Sequence, residues 1–110
     1  MSPPWLVITT VATAEQARTL ARAMVERRLA ACAQITAIES WYRWQGQVHQ
    51  ESEFRLLFKT RAELYAGLEA ALRALHPYEL PAIHGVPTAR AYGPYAEWVE
   101  ASTGPEPGAD

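Results

Sequence analysis

Two long extended segments joined by a short polar turn constrain the fold more than any other feature of this sequence. Residues 30–44 contain neither glycine nor proline, Gln45-Gly46-Gln47 supplies a turn, and residues 48–59 alternate in the manner of a strand that is apolar on one face. A strand of about 14 residues spans roughly 45 Å, whereas a compact domain of this length is roughly 35 Å across. The hairpin must therefore bend sharply or extend beyond the domain. Because soluble proteins rarely leave strand edges bare, we expect its edges to pair with neighbouring subunits.

A buried strand and an amphipathic helix precede the hairpin. The run from Trp5 to Val11 is rich in β-branched residues, which favours a strand. Thr13 with Gln16 three positions later predicts a capping box at the start of a helix. The apolar side chains that follow recur at helical spacing as far as about Arg28, so this helix has one face for the core.

A second helix, a short strand and a final helix follow the hairpin. Thr60 with Glu63 predicts another capping box, and His76-Pro77 stops the helix that it opens. Residues 82–87 are predicted to form a strand, and the proline at the end of this strand indicates a position at the edge of the sheet. Pro94, at a first helical position, begins a short helix that is predicted over residues 95–101.

The order of these elements predicts the fold class. It reads β-α-β-β-α-β followed by a helix, which is the split βαβ arrangement of α+β, ferredoxin-like sandwiches. The length of 110 residues suits one domain, which we place at residues 1–101. Residues 102–110 are rich in glycine, proline and acidic side chains, so we expect a flexible C-terminal tail there.

Charge and cysteine usage narrow the classes of partner and compartment. The formal net charge is −2, and a protein that binds phosphate backbones needs a basic surface, so we expect no nucleic-acid partner. Cys32 is the sole cysteine, which fits a reducing compartment. The sequence contains neither a secretory signal pattern nor an apolar run of the roughly 20 residues that cross a bilayer. We therefore expect a cytoplasmic protein with no membrane partner.

Five short segments together resemble the CutA divalent-cation-tolerance family. They follow the order and spacing of that family, and the resemblance extends over residues 6–101, nearly the whole domain. The segments are Leu29-Ala30-Ala31-Cys32-Ala33, Ser40-Trp41-Tyr42-Arg43-Trp44-Gln45-Gly46, Phe58-Lys59-Thr60, His76-Pro77-Tyr78-Glu79-Leu80-Pro81 and Tyr95-Ala96-Glu97-Trp98.

The resemblance implies a ferredoxin-like protomer that assembles as a tight homotrimer, similar in architecture to PII signal proteins. The family is named for tolerance to copper and other divalent cations. The implied function is therefore a part in that tolerance or response, with a metal ion or a small ligand bound in clefts between subunits. Fold and assembly follow from the resemblance more directly than mechanism does, because one fold hosts many functions.

The family's copper site carries over only in part. In some members copper is assigned to a cysteine on the first strand and two adjacent histidines at the end of the second helix. The matching positions here are Thr9, Leu75 and His76, so only His76 is an ordinary copper ligand. We expect that site to be absent or much weakened, and copper or another divalent cation to bind weakly through His76.

Four further residues are candidates for a ligand cleft: Cys32, Lys59, Tyr78 and Glu79. Cys32 either packs as a small apolar side chain or acts as a thiol ligand. Lys59 either forms an ion pair or reaches a neighbouring subunit or an anionic ligand. The segment from His76 to Glu79 either caps the second helix or lines a pocket with an imidazole, a phenol and a carboxylate. In the polar hairpin, His49 is either solvated or, beside two glutamates, a metal ligand.

Aromatic side chains mark the expected oligomer interface. Trp41, Tyr42 and Trp44 crowd the end of the hairpin, where a free monomer would expose them. On the last helix, Tyr95 and Trp98 are three positions apart and are expected to dock that helix on the sheet or on a partner.

The sequence contains no motif for a nucleophile, a phosphate loop or an organic cofactor, so we expect a protein that is not an enzyme. Two alternatives stay open. One is an enzyme of unknown reaction in which His76 and Glu79 serve as base and acid. The other is a trimeric scaffold that recruits other proteins.

Overall fold

An antiparallel four-stranded sheet with strand order β2-β3-β1-β4 organises the molecule. The computed structural model describes residues 2–106. Its elements are β1 (Trp5–Val11), α1 (Ala14–Glu26), β2 (Cys32–Trp44), β3 (Gln47–Thr60), a 3₁₀ turn (Ala62–Leu64), α2 (Tyr65–Leu75), β4 (Ile83–Pro87) and α3 (Gly93–Ala101). This confirms the predicted ferredoxin-like α+β fold. None of the helices formed by residues 2–106 is long and apolar enough to cross a membrane.

The hairpin of β2 and β3 extends beyond the rest of the sheet. Its strands pair continuously from Cys32 opposite Lys59 to Trp44 opposite Gln47. Gln45 and Gly46 both have positive φ angles, 51° and 80°. Two such residues form the type I′ turn, whose twist matches that of the two strands it connects. β1 pairs with β3 only from Phe54 onward, and the molecule is 50 Å long but 29 and 21 Å in its other dimensions.

The core lies between one face of the sheet and the helices α1 and α2. The side chains that fill it alternate along the strands and recur at helical spacing, as the sequence pattern predicts. The buried residues include Val7, Val11, Leu20, Met24, Leu56, Phe58, Leu68 and Leu72. This packing fixes which side of every strand faces the core and which faces away from it.

Helix α1 begins and ends as its sequence directs. The Thr13 hydroxyl accepts a hydrogen bond from the Gln16 amide, and the Gln16 side chain accepts one from the Thr13 amide, so the predicted capping box is confirmed. At the other end Arg28 adopts a left-handed φ of 59°. Its amide donates to the Val25 carbonyl, and the next amide donates to the carbonyl of Met24, which is the Schellman arrangement.

The predicted capping box at Thr60 is wrong. Thr60 is the last residue of β3, and its hydroxyl donates to the Leu29 carbonyl at 2.7 Å, so it does not cap a helix. The chain instead makes a 3₁₀ turn, and α2 follows with Leu64 as an N-cap that has no side-chain hydrogen bond. The prediction failed because a local sequence pattern does not show the competing hydrogen bond from Thr60 to Leu29, which is 31 positions away.

The domain extends beyond the predicted boundary at residue 101. Thr103 is 2% exposed, and the Arg61 guanidinium donates to its hydroxyl and to its carbonyl. Arg28 donates to the carbonyl of Gly104, whose amide donates back to the Arg28 carbonyl. Residues 102–104 therefore pack on the domain instead of beginning a flexible tail. The last part of the predicted tail, residues 107–110, lies outside the described residues.

Replacing Arg61 with leucine is expected to lower the free energy of unfolding by about 2–4 kcal/mol, because hydrogen bonds from a charged donor are lost and Thr103 stays buried. The Arg61 side chain is 24% exposed and also pairs with Glu100 at 2.8 Å. Chemical denaturation at one fixed protein concentration measures the change.

The matched control is Arg22→Leu. Arg22 also forms an ion pair at 2.7 Å, but its side chain is 81% exposed, so we expect no measurable change. Equal losses in the two variants would show that the contacts of Arg61 do not hold the C-terminal segment.

Candidate functional site

An open cleft of about 650 Å³ lies where the extended hairpin leaves the sheet. One wall is the segment between α2 and β4, and the other is the hairpin, with Thr10 at the end of β1 between them. The first wall contributes Pro77, Tyr78, Glu79, Leu80 and Ala82, and the second contributes Ser40, Trp41, Tyr42, Trp44, Glu51 and Glu53. The first wall overlaps the segment from His76 to Pro81 and the second overlaps the segment from Ser40 to Gly46, both of which carry the family resemblance, whereas Glu51 and Glu53 lie outside those segments.

Glu53 is the most unusual side chain of the cleft, because it is a carboxylate that is only 8% exposed. The Tyr78 hydroxyl donates to its Oε2 atom at 2.6 Å. Among the described residues, no Lys, Arg or His forms an ion pair with it. A carboxylate has about four lone-pair positions, so Glu53 keeps acceptor capacity after this bond.

A chain of hydrogen bonds connects Glu53 to the first strand. The Tyr78 amide donates to Nδ1 of His76 at 3.1 Å, so the proton of a neutral imidazole lies on Nε2. Nε2 lies 3.0 Å from Oγ1 of Thr9 and donates to it. The rings of His76 and Tyr78 are 5.0 Å apart. The imidazole therefore fixes the backbone of the segment that places the Tyr78 hydroxyl on Glu53.

Burial and the neighbouring carboxylates shift the titration of these groups. Desolvation, together with the hydrogen bond to Glu53, raises the pKa of Tyr78 well above its ordinary value, so the phenol stays protonated and donates. The nearby Glu51 carboxylate raises the pKa of Tyr42. Burial lowers the pKa of His76 below its ordinary value, against the opposing effects of the Thr10 backbone and of Glu53.

The charge of the cleft has one sign. Its lining residues include three carboxylates, from Glu51, Glu53 and Glu79, and they include no Lys, Arg or His in the part of the chain that the structure describes. Tyr42 stacks on His49 further along the hairpin, with ring centroids 5.5 Å apart, but His49 does not line the cleft. The cleft therefore favours a ligand with positive charge.

His76 is poorly placed to be a metal ligand on its own. Both ring nitrogens already take part in hydrogen bonds, so a metal ion binds only if one of these bonds breaks. Thr9, at the position of the family's cysteine, contacts His76 with a hydroxyl, while Leu75 is 43% exposed. Among residues 2–106, no three His, Cys, Asp or Glu side chains lie close enough to hold a metal ion. These contacts do not favour copper binding at Thr9, Leu75 and His76, and the weak binding expected through His76 stays a prediction.

The structure brings together two of the four predicted cleft residues. Tyr78 and Glu79 line the cleft. Cys32 and Lys59 are opposite each other in the β2–β3 ladder, at the other end of the hairpin, and the Lys59 ammonium lies 5.7 Å from the ring centroid of Tyr95. Lys59 forms no ion pair within residues 2–106, so the first of its two predicted roles is not seen in the single chain, and contact with a neighbouring subunit or an anionic ligand stays a prediction.

The residues predicted for the oligomer interface are exposed in the single chain. Trp41 is 67% exposed, Trp44 is 41% exposed, and Tyr42 and Trp98 are also exposed. Trp98 stacks on Tyr95 at 5.8 Å. The interface itself stays a prediction, since the structure contains one chain.

Sequence reasoning missed the central role of Glu53 in the cleft. By strand alternation Glu53 lies on the same face as Lys59, away from Phe58 and the core, so the pattern predicts a solvated side chain. Its burial comes from the Tyr78 ring, which belongs to a segment 25 residues further along the chain. The available signal was the acidic pair Glu51 and Glu53, two positions apart on the extending part of the hairpin.

Comparison with known proteins places this arrangement in context. The family model described as "CutA1 divalent ion tolerance protein" matches residues 5–102. The divalent-cation tolerance protein CutA of Thermus thermophilus is 43% identical over 100 residues, which cover 90% of this chain and 97% of the relative. The structure of CutA from Synechococcus elongatus has a TM-score of 0.90 and 38% identity, covering 94% of this chain and 93% of that chain. That of Archaeoglobus fulgidus, described as a periplasmic divalent cation tolerance protein, has a TM-score of 0.88 and 29% identity over 90% of this chain and 97% of that chain.

The burial of His76 predicts a pH dependence of stability. Because its pKa is lower in the folded than in the unfolded protein, the unfolded state binds more protons below about pH 6.5, and stability falls as the pH drops through this range. His76→Asn keeps an acceptor for the Tyr78 amide and removes the titration, so we expect a flatter stability profile between about pH 5 and 7.

Denaturation midpoints across this pH range, measured in chelator-treated buffer, give the profile. The control is His84→Asn, which removes an exposed histidine and should leave the slope as it is in the parent protein. A slope that persists in His76→Asn would contradict the assignment of this effect to His76.

Proposed function

The chain belongs to the CutA1 divalent ion tolerance family, and from this premise we propose that it acts in divalent-cation tolerance as a homotrimer that binds a cationic ligand in the acidic cleft. The observation that carries the proposal is the buried carboxylate of Glu53, which faces a cleft to which residues 2–106 contribute no basic side chain. The family is named for divalent ion tolerance and not for a reaction. We also propose a cytoplasmic location, supported by the free thiol of Cys32.

The proposed divalent-cation ligands are the carboxylates of the cleft. Glu51 and Glu53 are two residues apart on one strand, so they project from the same face about 6.6 Å apart along it. Glu79 faces them from the opposite wall. Carboxylate oxygens suit many divalent cations, and copper(II) binds most N/O sites more tightly than its first-row neighbours. Because residues 2–106 of one chain do not bring three such ligands within reach of one ion, the binding is expected to be weak unless a neighbouring subunit adds to it.

The proposed trimer rests on the unpaired parts of the hairpin. β2 is an edge strand along its whole length, and β3 from Gln47 to Glu53 pairs only with β2. Trp41 and Val48, both more than 60% exposed, lie on this extension. Hairpins that pair around a threefold axis would satisfy the free main-chain groups and cover the apolar side chains. The cleft adjoins this surface, so assembly would place a neighbour beside it.

For the assembly, sedimentation of the purified chain at micromolar concentration is expected to give three times the chain mass of 12.2 kDa. Replacing Trp41 and Trp44 together with serine should weaken assembly and lower thermal stability at the same time, because each tryptophan buries about 150–250 Å² when covered.

The control for these substitutions is Val25→Ser, at an exposed apolar position of α1 that lies away from the hairpin. It should leave the sedimenting mass unchanged. A folded parent protein of 12.2 kDa would refute assembly through the hairpin, and a stable dimer would refute the threefold geometry.

For the cation, calorimetric titration is expected to show copper(II) binding weaker than micromolar that depends on the carboxylates. Glu53→Gln keeps an acceptor for the Tyr78 hydroxyl and removes the charge, so affinity should fall about tenfold or more. His76→Asn should change it less than Glu53→Gln, because the imidazole nitrogens are already hydrogen-bonded.

Zinc(II) and magnesium(II) serve as comparison ions in the same titrations, because they separate a preference for copper from general binding of divalent cations. If His76→Asn abolishes copper binding while Glu53→Gln leaves it intact, the site lies at His76 and the carboxylate assignment is wrong.

A further inference from the structure

We propose that the hydrogen bond between Tyr78 and Glu53 is a brace that sets the direction in which the hairpin extension, residues 38–53, leaves the sheet. The inference rests on the proposed function, because its consequence is a role for Tyr78 as a positioning residue in assembly of the homotrimer. The bond lies within one protomer, so it acts whether or not a neighbouring subunit covers the surface of the hairpin. Three properties of the chain carry the inference: the sparse support of the extension, the anchoring of Tyr78 and the length of the extension.

The extension receives little other support from the protein. β3 pairs with β1 only from Phe54 onward, so residues 38–53 form a two-stranded ribbon. Glu53 is the only buried side chain of this ribbon, and none of its residues belongs to the core. Within residues 2–106, the brace is the only hydrogen bond that joins a side chain of the extension to the remainder of the chain. Two-stranded ribbons twist more than wider sheets and are marginally stable alone, so the direction of this one depends on the brace.

Tyr78 is anchored on the other side of the brace. Its amide donates to Nδ1 of His76 at 3.1 Å, and Nε2 of that ring donates to Oγ1 of Thr9 at 3.0 Å. Thr9 is a buried residue of β1, and Pro77 restricts the backbone just before Tyr78. The Tyr78 hydroxyl lies 2.6 Å from Oε2 of Glu53, within the range of charge-assisted bonds between a hydroxyl and a carboxylate. The brace therefore connects the ribbon to a central strand of the sheet.

The length of the extension makes its direction important for assembly. Gln45 at the tip is eight positions from Glu53, which at about 3.4 Å per residue is a distance of about 27 Å. A tilt of about 10° at Glu53 would move the tip by about 5 Å, which is the spacing between neighbouring strands. A hairpin that pairs with another subunit must therefore point in one direction, and holding it there beforehand lowers the free-energy cost of association.

The variant Tyr78→Phe tests the brace, because it removes the hydroxyl and keeps the aromatic ring. We expect the amide hydrogens of residues 38–53 to exchange with solvent at least about tenfold faster than in the parent protein, with a smaller change in β1. The protein concentration at which half of the chains are assembled should rise about tenfold or more. Hydrogen exchange of the full, purified chain and sedimentation over a dilution series measure the two effects.

Further variants separate the missing brace from an unpaired charge, because Tyr78→Phe also leaves the Glu53 carboxylate buried without its donor. The double variant with Tyr78→Phe and Glu53→Leu has no such charge and still lacks the brace, so fast exchange of the extension should persist. Glu53→Gln keeps an acceptor for the Tyr78 hydroxyl, so exchange should stay within about twofold of the parent rate. The matched control Tyr92→Phe removes a hydroxyl at a 77% exposed position and should change neither exchange nor assembly.

Slow exchange restored in the double variant would overturn the inference, because the unpaired charge would then be the cause. Equal acceleration of the extension and β1 in Tyr78→Phe, or acceleration of neither, would overturn it as well. An assembly midpoint that Tyr78→Phe leaves unchanged would overturn the role of Tyr78 in assembly. If the parent protein is a monomer, the homotrimer fails, and hydrogen exchange still decides whether the brace holds the extension.

Discussion

The ladder between β2 and β3 is the interaction on which both the fold and the cleft depend. It runs without a break from Cys32 opposite Lys59 to Trp44 opposite Gln47. Its first half is covered by the core, which fixes the register, because a slip by one residue would turn Phe58 away from the helices. Its second half, toward the hairpin tip, makes no core contacts, so its register is determined by the continuous pairing with the first half. The positions of Glu51, Glu53 and the hairpin aromatics are therefore set by packing that occurs elsewhere.

The cleft also depends on how the segment after α2 crosses the end of β1. Pro77 prevents continuation of the helix, and the His76 ring is anchored at both nitrogens, to Thr9 and to the Tyr78 amide. The Tyr78 hydroxyl then reaches Glu53 on β3. One short hydrogen-bonded chain thus connects the helix end, the first strand and the hairpin. The Glu53 carboxylate has no basic partner among residues 2–106, and the Tyr78 hydroxyl supplies a neutral donor that satisfies part of its hydrogen-bonding capacity, so the carboxylate can stay buried.

Local sequence patterns predicted those parts of the fold that local contacts determine. The capping box at Thr13 and the hairpin turn at Gly46 each depend on neighbours within a few residues, and the edge position of β4 was predicted from Pro87, which has no amide hydrogen to donate to a further strand. The patterns failed where a distant group competes: Thr60 bonds to Leu29, and Arg61 holds Thr103 across 42 positions. The candidate site followed the same rule. Tyr78 and Glu79 were identified from a segment that resembles a known family, whereas the burial of Glu53 arises from a contact that no periodicity records.

The two-residue turn at the hairpin tip has a consequence for the order of folding. Each pair of the β2–β3 ladder closes a loop only slightly longer than the one before it, so the hairpin can zip from Gln45 and Gly46 outward with little entropy loss at any step. Isolated hairpins of this kind form in about 1–10 μs. The pairing of β1 with both β3 and β4 joins residues more than 40 positions apart, so we expect it to form later. The extending strands would thus exist, with open flanks, before the sheet that supports them is complete.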